Sequence, residues 1–574
     1  MQIFDKKKKP LTLFLTILLY AILALIMTLT LNSKGIIWGS DDATFHIGRL
    51  VSVSHSFQDG NLIPTISTSN FRLIGYAINL FYPYVTIAPI ALLFILFNNP
   101  ITAFYTGMGI YLFISFLISH FVMKKFSQST LNSVIFSLFY NLSTYMLIEI
   151  LPRADIAEFI AMMILPICFL GFYNVFFGDF RKWSFLAIGM SALLLTHLLS
   201  TVICAFFFIF ILILYIIKSN HFISRLKSLL KAIVATVCAS AVFLFPFISE
   251  ITYQPYSQPS PYILKGKVLI KMIQSSFLNS SVQSYDGNTY NIGVFLMAAL
   301  ILGLIFYFKL PTLYQRIYTL AFLSFFMATD IFPWYIFQNT PIKVIQFPFR
   351  FLMIATLLTS IIAAKLVEMF ITEFNLQKYQ VVITTLLAIL LCGFWISSAQ
   401  IAQSKPFINS KYNILTEKQI KSHKFYEDYY EQYSPASAGK HIADTTWNIG
   451  KINNHPVVFH PKSKKESIVI KTGEIQKNSV VALPIIRYKN TKLSLNGKNT
   501  HFKTSNNGTV QVKMKHKIKH PVFKITYEKD NLIYFSAALS LVTWLYLLYR
   551  LKIEKRLQNY ELYLLSKINR NTRV

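Results

Sequence analysis

Apolar runs of membrane-spanning length recur from Leu11 to Tyr549, and no other feature limits the fold of this chain so strongly. A helix needs about 20 apolar residues to cross a bilayer, where its own backbone must satisfy every N–H and C=O. Hydrophobic residues make up 54% of the 574, and mean hydropathy is +0.49. That is too apolar for a soluble chain of this length. The first run, Leu11 to Leu31, is longer than a signal-peptide core and has no small-residue cleavage site behind it, so it reads as a retained helix. The expectation is a polytopic α-helical membrane protein.

Charge sets the orientation. Lys6 to Lys9 precede the first run and put the N-terminus in the cytoplasm. The next apolar stretch, Asn79 to Phe97, contains Pro83 and Pro89 and lacks flanking charge. Read as an interfacial segment on the outer side, it places Lys124, Lys125, Arg181, Lys182, Arg225, Lys227, Lys231, Lys309, Arg316, Lys365 and the tail after Arg550 inside. Spans then run at about 101–123, 131–150, 156–178, 183–199, 200–218, 229–249, 292–309, 315–332, 349–367, 380–399 and 532–550, roughly twelve with the first. The formal charge of +31 follows from the positive-inside rule and anionic lipid rather than from nucleic-acid binding. Cys168, Cys204, Cys238 and Cys392 all lie in apolar segments without CxxC spacing, which argues against a metal site or a disulfide framework.

The chain divides into a membrane region, 1–403, a block without spans, 404–530, and a last span with a basic cytoplasmic tail, 531–574. The register puts the middle block outside. Its later part alternates apolar and polar residues in "ESIVIKTGE", "SVVALPIIRYKN", "TKLSLNGKN", "GTVQVKMKHK" and "PVFKITYEK". Period-two alternation broken by Asn-Gly and Thr-Gly reads as antiparallel strands, most simply a β-sandwich.

Ionisable residues gather at the outer ends of the spans. In "GSDDATFHIGRL" a helix starting near Ser40 puts Asp42, His46 and Arg49 on one stripe, with Asp41 beside it. "EILPRADIAEFI" brings Arg153, Asp155 and Glu158 together, the two acids three apart on one helical face. His197 lies in a tight hairpin, "LTHLLST", and Lys343, Gln346 and Arg350 mark the outer start of a span in "PIKVIQFPFRFL". Cations at an outer end oppose the usual bias and fit the binding of an anion such as phosphate. The sequence has no Walker A motif and no GxGxxG after a strand. A reaction on the outer face therefore requires an activated substrate carried on a lipid.

These features resemble the GT-C superfamily of membrane glycosyltransferases and, more closely, the YfhO-like and 6-pyruvoyl-tetrahydropterin synthase-related bacterial membrane proteins. The motifs that carry the likeness are "DDATFHIGRL", "DGNLIPTIS", "GYAINLFYPY", "RADIAEF", "THLLS", "IQFPFRFL" and "LPIIRYKN". They run along nearly the whole chain. The resemblance implies a GT-C-like bundle with interfacial helices in the first outer loop, in a bacterial plasma membrane with both termini cytoplasmic. It implies inverting transfer of a sugar from a polyprenyl-phosphate donor to an anionic cell-envelope polymer such as a teichoic acid or a surface polysaccharide. Asp42 is then the base, with Asp41 as its rival. Glu158 is a second acid holding sugar hydroxyls, with Asp155 behind it. His46 and Arg49 orient the acid or contact phosphate, Arg153 and His197 line the site, and Lys343, Gln346 and Arg350 hold the donor phosphate. No cofactor is expected and no metal ligands are assigned, though some relatives use a divalent ion and the paired Asp41 and Asp42 leave that open. The competing classes are a transporter or flippase, which places ionisable groups mid-span and often has inverted repeats, and a non-catalytic scaffold for envelope assembly.

Overall fold

The computed structural model describes residues 3–38, 42–215, 221–257, 263–282, 290–405, 414–422, 430–438 and 441–571. Asp41, and Ser40 as a helix cap, lie outside the described residues. Among the described residues, six helices are long and apolar enough to cross a membrane: Leu11–Leu31, Pro100–Ser127, Ile156–Phe176, Pro348–Glu373, Gln377–Ser404 and Asn531–Glu554. The pairs Thr130–Asn141 with Thr144–Ile150 and Phe222–Ala239 with Ala241–Ile251 bend by 47° and 75° at their breaks and raise the number to eight if each pair is one span. The other four expected positions hold the shorter helices Ser184–Leu194, Leu198–Tyr215, Val294–Ile305 and Thr312–Met327. Hydropathy measures apolar length rather than helix length, and an 11-residue helix covers only about 17 Å. Helix length therefore supports six to eight spans where the apolar runs number about twelve. Leu11, Phe14, Leu25 and Leu29 are exposed along the first helix, as side chains facing lipid should be.

The stretch Asn79 to Phe97 does not form one helix. It holds Ile78–Phe81 and Ala88–Leu96, separated by the turn around Pro83. Proline lacks the N–H that a continuous helix needs, and nine residues rise about 14 Å, too little to span. The next helix starts at once, where the Asn99 side chain accepts from the amides of Ile101 at 2.8 Å and Thr102 at 3.2 Å. Helices Ile156–Phe176 and Phe351–Glu373 are the most enclosed of the long ones, and they bring Glu158 and Arg350 together at one end of the bundle.

The alternating segments form two five-stranded antiparallel sheets. Val480–Ile486 lies between Thr509–Lys513 and Ile449–Ile452 in one, and Val522–Tyr527 lies between Ser467–Lys471 and Thr491–Leu495 in the other. Alternate residues of both sheets, including Ile468, Ile470, Leu483, Val510, Phe523 and Ile525, face one core. This is the expected sandwich. The sandwich is seated on the first interhelical loop: Ile486 N–H donates to Ile74 O at 2.8 Å, and Ala77 N–H donates to the Tyr488 hydroxyl at 3.1 Å. At Gly75, with φ +72, any Cβ would strike the Tyr527 hydroxyl, so this contact depends on glycine.

Candidate functional site

The segment between Ile150 and Ile156 turns sharply. Ala154 adopts φ +52, and the Arg153 carbonyl accepts from Asp42 N–H at 2.9 Å. The turn sends the Arg153 side chain inward. Asp155 caps the following helix, its Oδ1 accepting from Glu158 N–H at 2.9 Å. Arg153 then meets four carboxylates: Glu149 at 2.5 Å, Glu158 at 2.8 Å, Asp155 at 3.2 Å and Asp42 at 3.6 Å. Arg350 adds a second guanidinium, donating from Nε to Glu158 Oε2 at 3.2 Å and from Nη1 to Gln346 Oε1 at 3.0 Å. Tyr145 donates to the other Glu158 oxygen at 2.8 Å.

The first-loop helix Ala43–Gln58 joins this network from the side. Asp42 sits at its N-cap position without a side-chain cap bond. His46 and Arg49 are buried, so their stripe faces protein rather than water. His46 Nε2 lies 3.2 Å from Asp155 Oδ1, and its Nδ1 lies 3.3 Å from Arg49 Nη1. A guanidinium can only donate, so Nδ1 accepts and the ring proton belongs on Nε2, pointing at Asp155. Arg49 also donates to Pro83 O at 2.6 Å and lies 4.0 Å over the Tyr82 ring. The other edge of that pocket is His197, in the turn between Ser184–Leu194 and Leu198–Tyr215, stacked on Tyr82 at 5.7 Å.

Burial lowers the His46 pKa against the opposing pull of Asp155, and the ring is neutral near pH 7. Burial also lowers His197, to about 4. For Asp155, burial acts upward, but the His46 hydrogen bond and the Arg153 charge outweigh it and hold the carboxyl well below the usual range. Oxygens of Glu149, Asp155 and Glu158 lie within 4.8 Å of one another, a spacing that could hold a cation. Arg153 already contacts all three.

The structure thus gathers Asp42, His46, Arg49, Arg153, Asp155, Glu158, His197, Gln346 and Arg350 around one centre. Lys343 is exposed on the neighbouring turn Pro341–Ile345. Sequence reasoning passed over Glu149, although its i,i+4 spacing to Arg153 was a visible signal, over Tyr82 and Tyr145, and over Phe349, whose ring centre lies 5.1 Å from the Arg153 guanidinium.

Residues 81–401 match the family model for the 6-pyruvoyl-tetrahydropterin synthase related domain, a membrane protein. The chain belongs to that family. The matched region of this 6-pyruvoyl-tetrahydropterin synthase-related membrane protein takes in Tyr82, Glu149, Arg153, Asp155, Glu158, His197 and Arg350, but begins after Asp42, His46 and Arg49. An uncharacterized protein of Lactococcus lactis subsp. cremoris is 24% identical over 226 residues, 38% of this chain and 37% of that protein. The aligned part thus spans little more than a third of that relative's length. No solved structure matches the chain.

Proposed function

We propose that the protein is an integral membrane glycosyltransferase of GT-C type. It moves a sugar from a polyprenyl-phosphate donor to an anionic envelope polymer on the outer face of the bacterial plasma membrane, with inversion, and Asp42 is the general base. One observation carries the reading. Among the described carboxylates of the network, the Asp42 side chain is 40% exposed while those of Glu149, Asp155 and Glu158 are at most 3% exposed. A base must reach the proton it removes, and the inner acids are committed to Arg153 and Arg350.

In this mechanism Asp42 takes the proton of the acceptor hydroxyl as that oxygen attacks the anomeric carbon, and the sugar–phosphate bond breaks toward the lipid phosphate. Arg153, whose backbone and side chain both contact the Asp42 residue, positions the carboxylate. His46 and Asp155 fix Arg49 and Arg153 behind it. The gathering of charge at one end of the bundle, instead of mid-span, supports an enzyme over a transporter.

The test is transfer of labelled sugar from polyprenyl-phosphate donors by purified protein. Asp42→Asn keeps size and hydrogen bonding but removes the base, and the rate should fall by about a hundred- to ten-thousand-fold. Near-normal transfer by Asp42→Asn would remove Asp42 from this role.

A further inference from the structure

An aromatic cluster joins the first interhelical loop to the 404–530 block, and tyrosines supply most of its polar atoms. Most of these phenols are committed within the protein. Tyr76, Tyr256 and Tyr527 donate to Gln432 O, to Glu250 and to Ile486 O, and Tyr488 accepts from Ala77 N–H. Tyr82 and Tyr433 differ. Both are half-buried, and among the described residues neither hydroxyl has a hydrogen-bond partner.

Their rings, by contrast, are held. Tyr433 stacks on Phe81 at 5.4 Å with 19° between the planes, and Phe81 is the chain neighbour of Tyr82. Tyr82 stacks on His197 at 5.7 Å and carries the Arg49 guanidinium 4.0 Å from its ring centre. The backbone around Tyr433 is fixed as well. Its N–H donates to Ser257 O at 3.3 Å, Ser257 N–H donates to Ser434 O at 2.9 Å, and Ala436 N–H donates to Pro255 O at 2.9 Å. The Tyr76 hydroxyl holds the Gln432 carbonyl at 2.6 Å. Within these ties Tyr433 adopts φ +61, a costly conformation for a bulky residue that persists only where the surroundings impose it. Burial pushes both phenols up, Tyr433 to about 12, so both are neutral at pH 7. Arg49, Asp42 and Asp155 are among the charges that act on each of them, which places both phenols near the exposed carboxylate of Asp42.

We propose that Tyr433, brought to the site by the 404–530 block, pairs with Tyr82 of the first loop to bind a sugar ring beside Asp42 through the two phenol hydroxyls. The proposal rests on the transferase reading above. A neutral phenol both donates and accepts a hydrogen bond, as a sugar hydroxyl does. Because the rings are already stacked and the backbone is anchored, little freedom is lost when a ligand binds. A sugar on a lipid carrier and a sugar on an acceptor present the same hydroxyls, so the experiment separates them.

The experiment measures binding to the full-length protein in phosphatidylcholine nanodiscs. One arm uses farnesyl phosphate, bare or carrying glucose, galactose, N-acetylglucosamine or N-acetylgalactosamine. The other uses the free disaccharides maltose, lactose and diacetylchitobiose. Wild type should bind at least one glycosylated carrier more tightly than bare farnesyl phosphate, or bind at least one disaccharide. Tyr433→Phe keeps the ring and removes only the hydroxyl, and it should weaken that sugar-dependent binding about three- to ten-fold. Tyr82→Phe should act in the same direction. Bare farnesyl phosphate binding and the thermal midpoint should not move in either variant. A loss confined to the glycosylated carrier assigns the pair to the donor sugar, and a loss confined to the disaccharide assigns it to the acceptor. Unchanged binding of every probe in Tyr433→Phe overturns the proposal, as does a wild type without any sugar-dependent binding. Equal weakening of bare farnesyl phosphate overturns it too, by giving the hydroxyl to phosphate. A lowered thermal midpoint with equal loss for all probes makes the hydroxyl structural and also overturns it. Tyr433-dependent sugar binding without any transfer would sink the transferase reading and leave the pair standing. Transfer whose half-saturation is the same in wild type and in both phenylalanine variants would do the reverse.

Discussion

The network around Arg153 and the β-sandwich handle charge in opposite ways. At the end of the helix bundle, four carboxylates converge on two guanidiniums, and all but Asp42 are nearly inaccessible to solvent. Between Ile449 and Asp530 the chain carries 17 Lys and Arg against 4 Asp and Glu, so this seventh of the sequence supplies 13 of the 31 net positive charges. Lys462, Lys471, Lys492 and Lys524 are exposed on one sheet of the sandwich. A buried charge survives only with partners, whereas an exposed lysine needs none. The first pattern fixes a geometry and the second creates a field. This contrast is why the proposed chemistry is sought in the network and a proposed contact with an anionic polymer on the sandwich.

The largest effect should come from removing the hub of the network. Arg153→Met deletes the partner of Glu149, Asp155 and Glu158 together, and losing one side of a buried ion pair typically costs about 3–5 kcal/mol. Thermal unfolding of the variant in nanodiscs should show a large drop in midpoint or a failure to accumulate. Adding Glu149→Gln to Arg153→Met should recover part of the loss, since one stranded charge is gone. If Arg153→Met alone unfolds at the wild-type temperature, the network is not the tightly paired cluster described here.

What was legible in the sequence follows the same division. The strands of the sandwich follow from alternation within five or six residues, as in Ser467–Lys471, and the stripe of Asp42, His46 and Arg49 follows from helical spacing. The direction of that stripe did not follow, because His46 is buried by pairing with Asp155, more than a hundred residues away. The Arg350–Glu158 contact joins positions 192 apart, and no local pattern announces it. Lys343 and Arg350 are close in sequence, yet Gln346 between them adopts φ +62 and breaks two short 3₁₀ turns. One stays exposed and the other enters the network. The break at Leu195 to His197 was legible, since the hairpin around His197 already divides two apolar runs, but the length of the helices on either side was not, and by helix length six to eight of the about twelve apolar runs qualify as spans among the described residues.

A smaller effect should appear as a pH dependence of stability. His197 is neutral when folded, because burial lowers its pKa to about 4 against the pull of Asp155 and Glu158. Unfolded, it titrates near 6.5. The unfolded state therefore binds more protons between those values, and stability rises with pH. The contribution is fully present above about pH 6.5 and is lost as pH falls toward 4, with a total on the order of 3 kcal/mol. Burial lowers His46 too, so it acts in the same direction. Thermal midpoints at pH 7.5 and pH 5 should differ in wild type, and His197→Gln should narrow the difference. An unchanged difference in His197→Gln would mean that the acid sensitivity arises elsewhere.

The smallest effect on stability, and the sharpest test of the contrast, lies on the sandwich. Lys462, Lys471, Lys492 and Lys524 project from the sheet built on Val522–Tyr527, while their strand neighbours Ile468, Ile470, Leu493, Phe523 and Ile525 fill its core. Lys492 has an ion pair with Glu528 at 3.7 Å, both partners more than half exposed, and such a pair is worth about 0–1 kcal/mol. Changing all four lysines to Gln should therefore change stability by no more than about 0.5 kcal/mol per site, read as a small shift in thermal midpoint. The same change removes four positive charges from one face. Capture of an anionic polymer should weaken, and the weakening should shrink as salt rises and the field is screened over a Debye length of about 10 Å at 0.1 M. Inorganic polyphosphate serves as the probe, titrated onto wild-type and quadruple-variant protein at low and high salt. A variant that binds polyphosphate as tightly as wild type at low salt would show that this sheet is only a solvated surface. The acceptor of the proposed transfer would then have to be recognised nearer to Asp42.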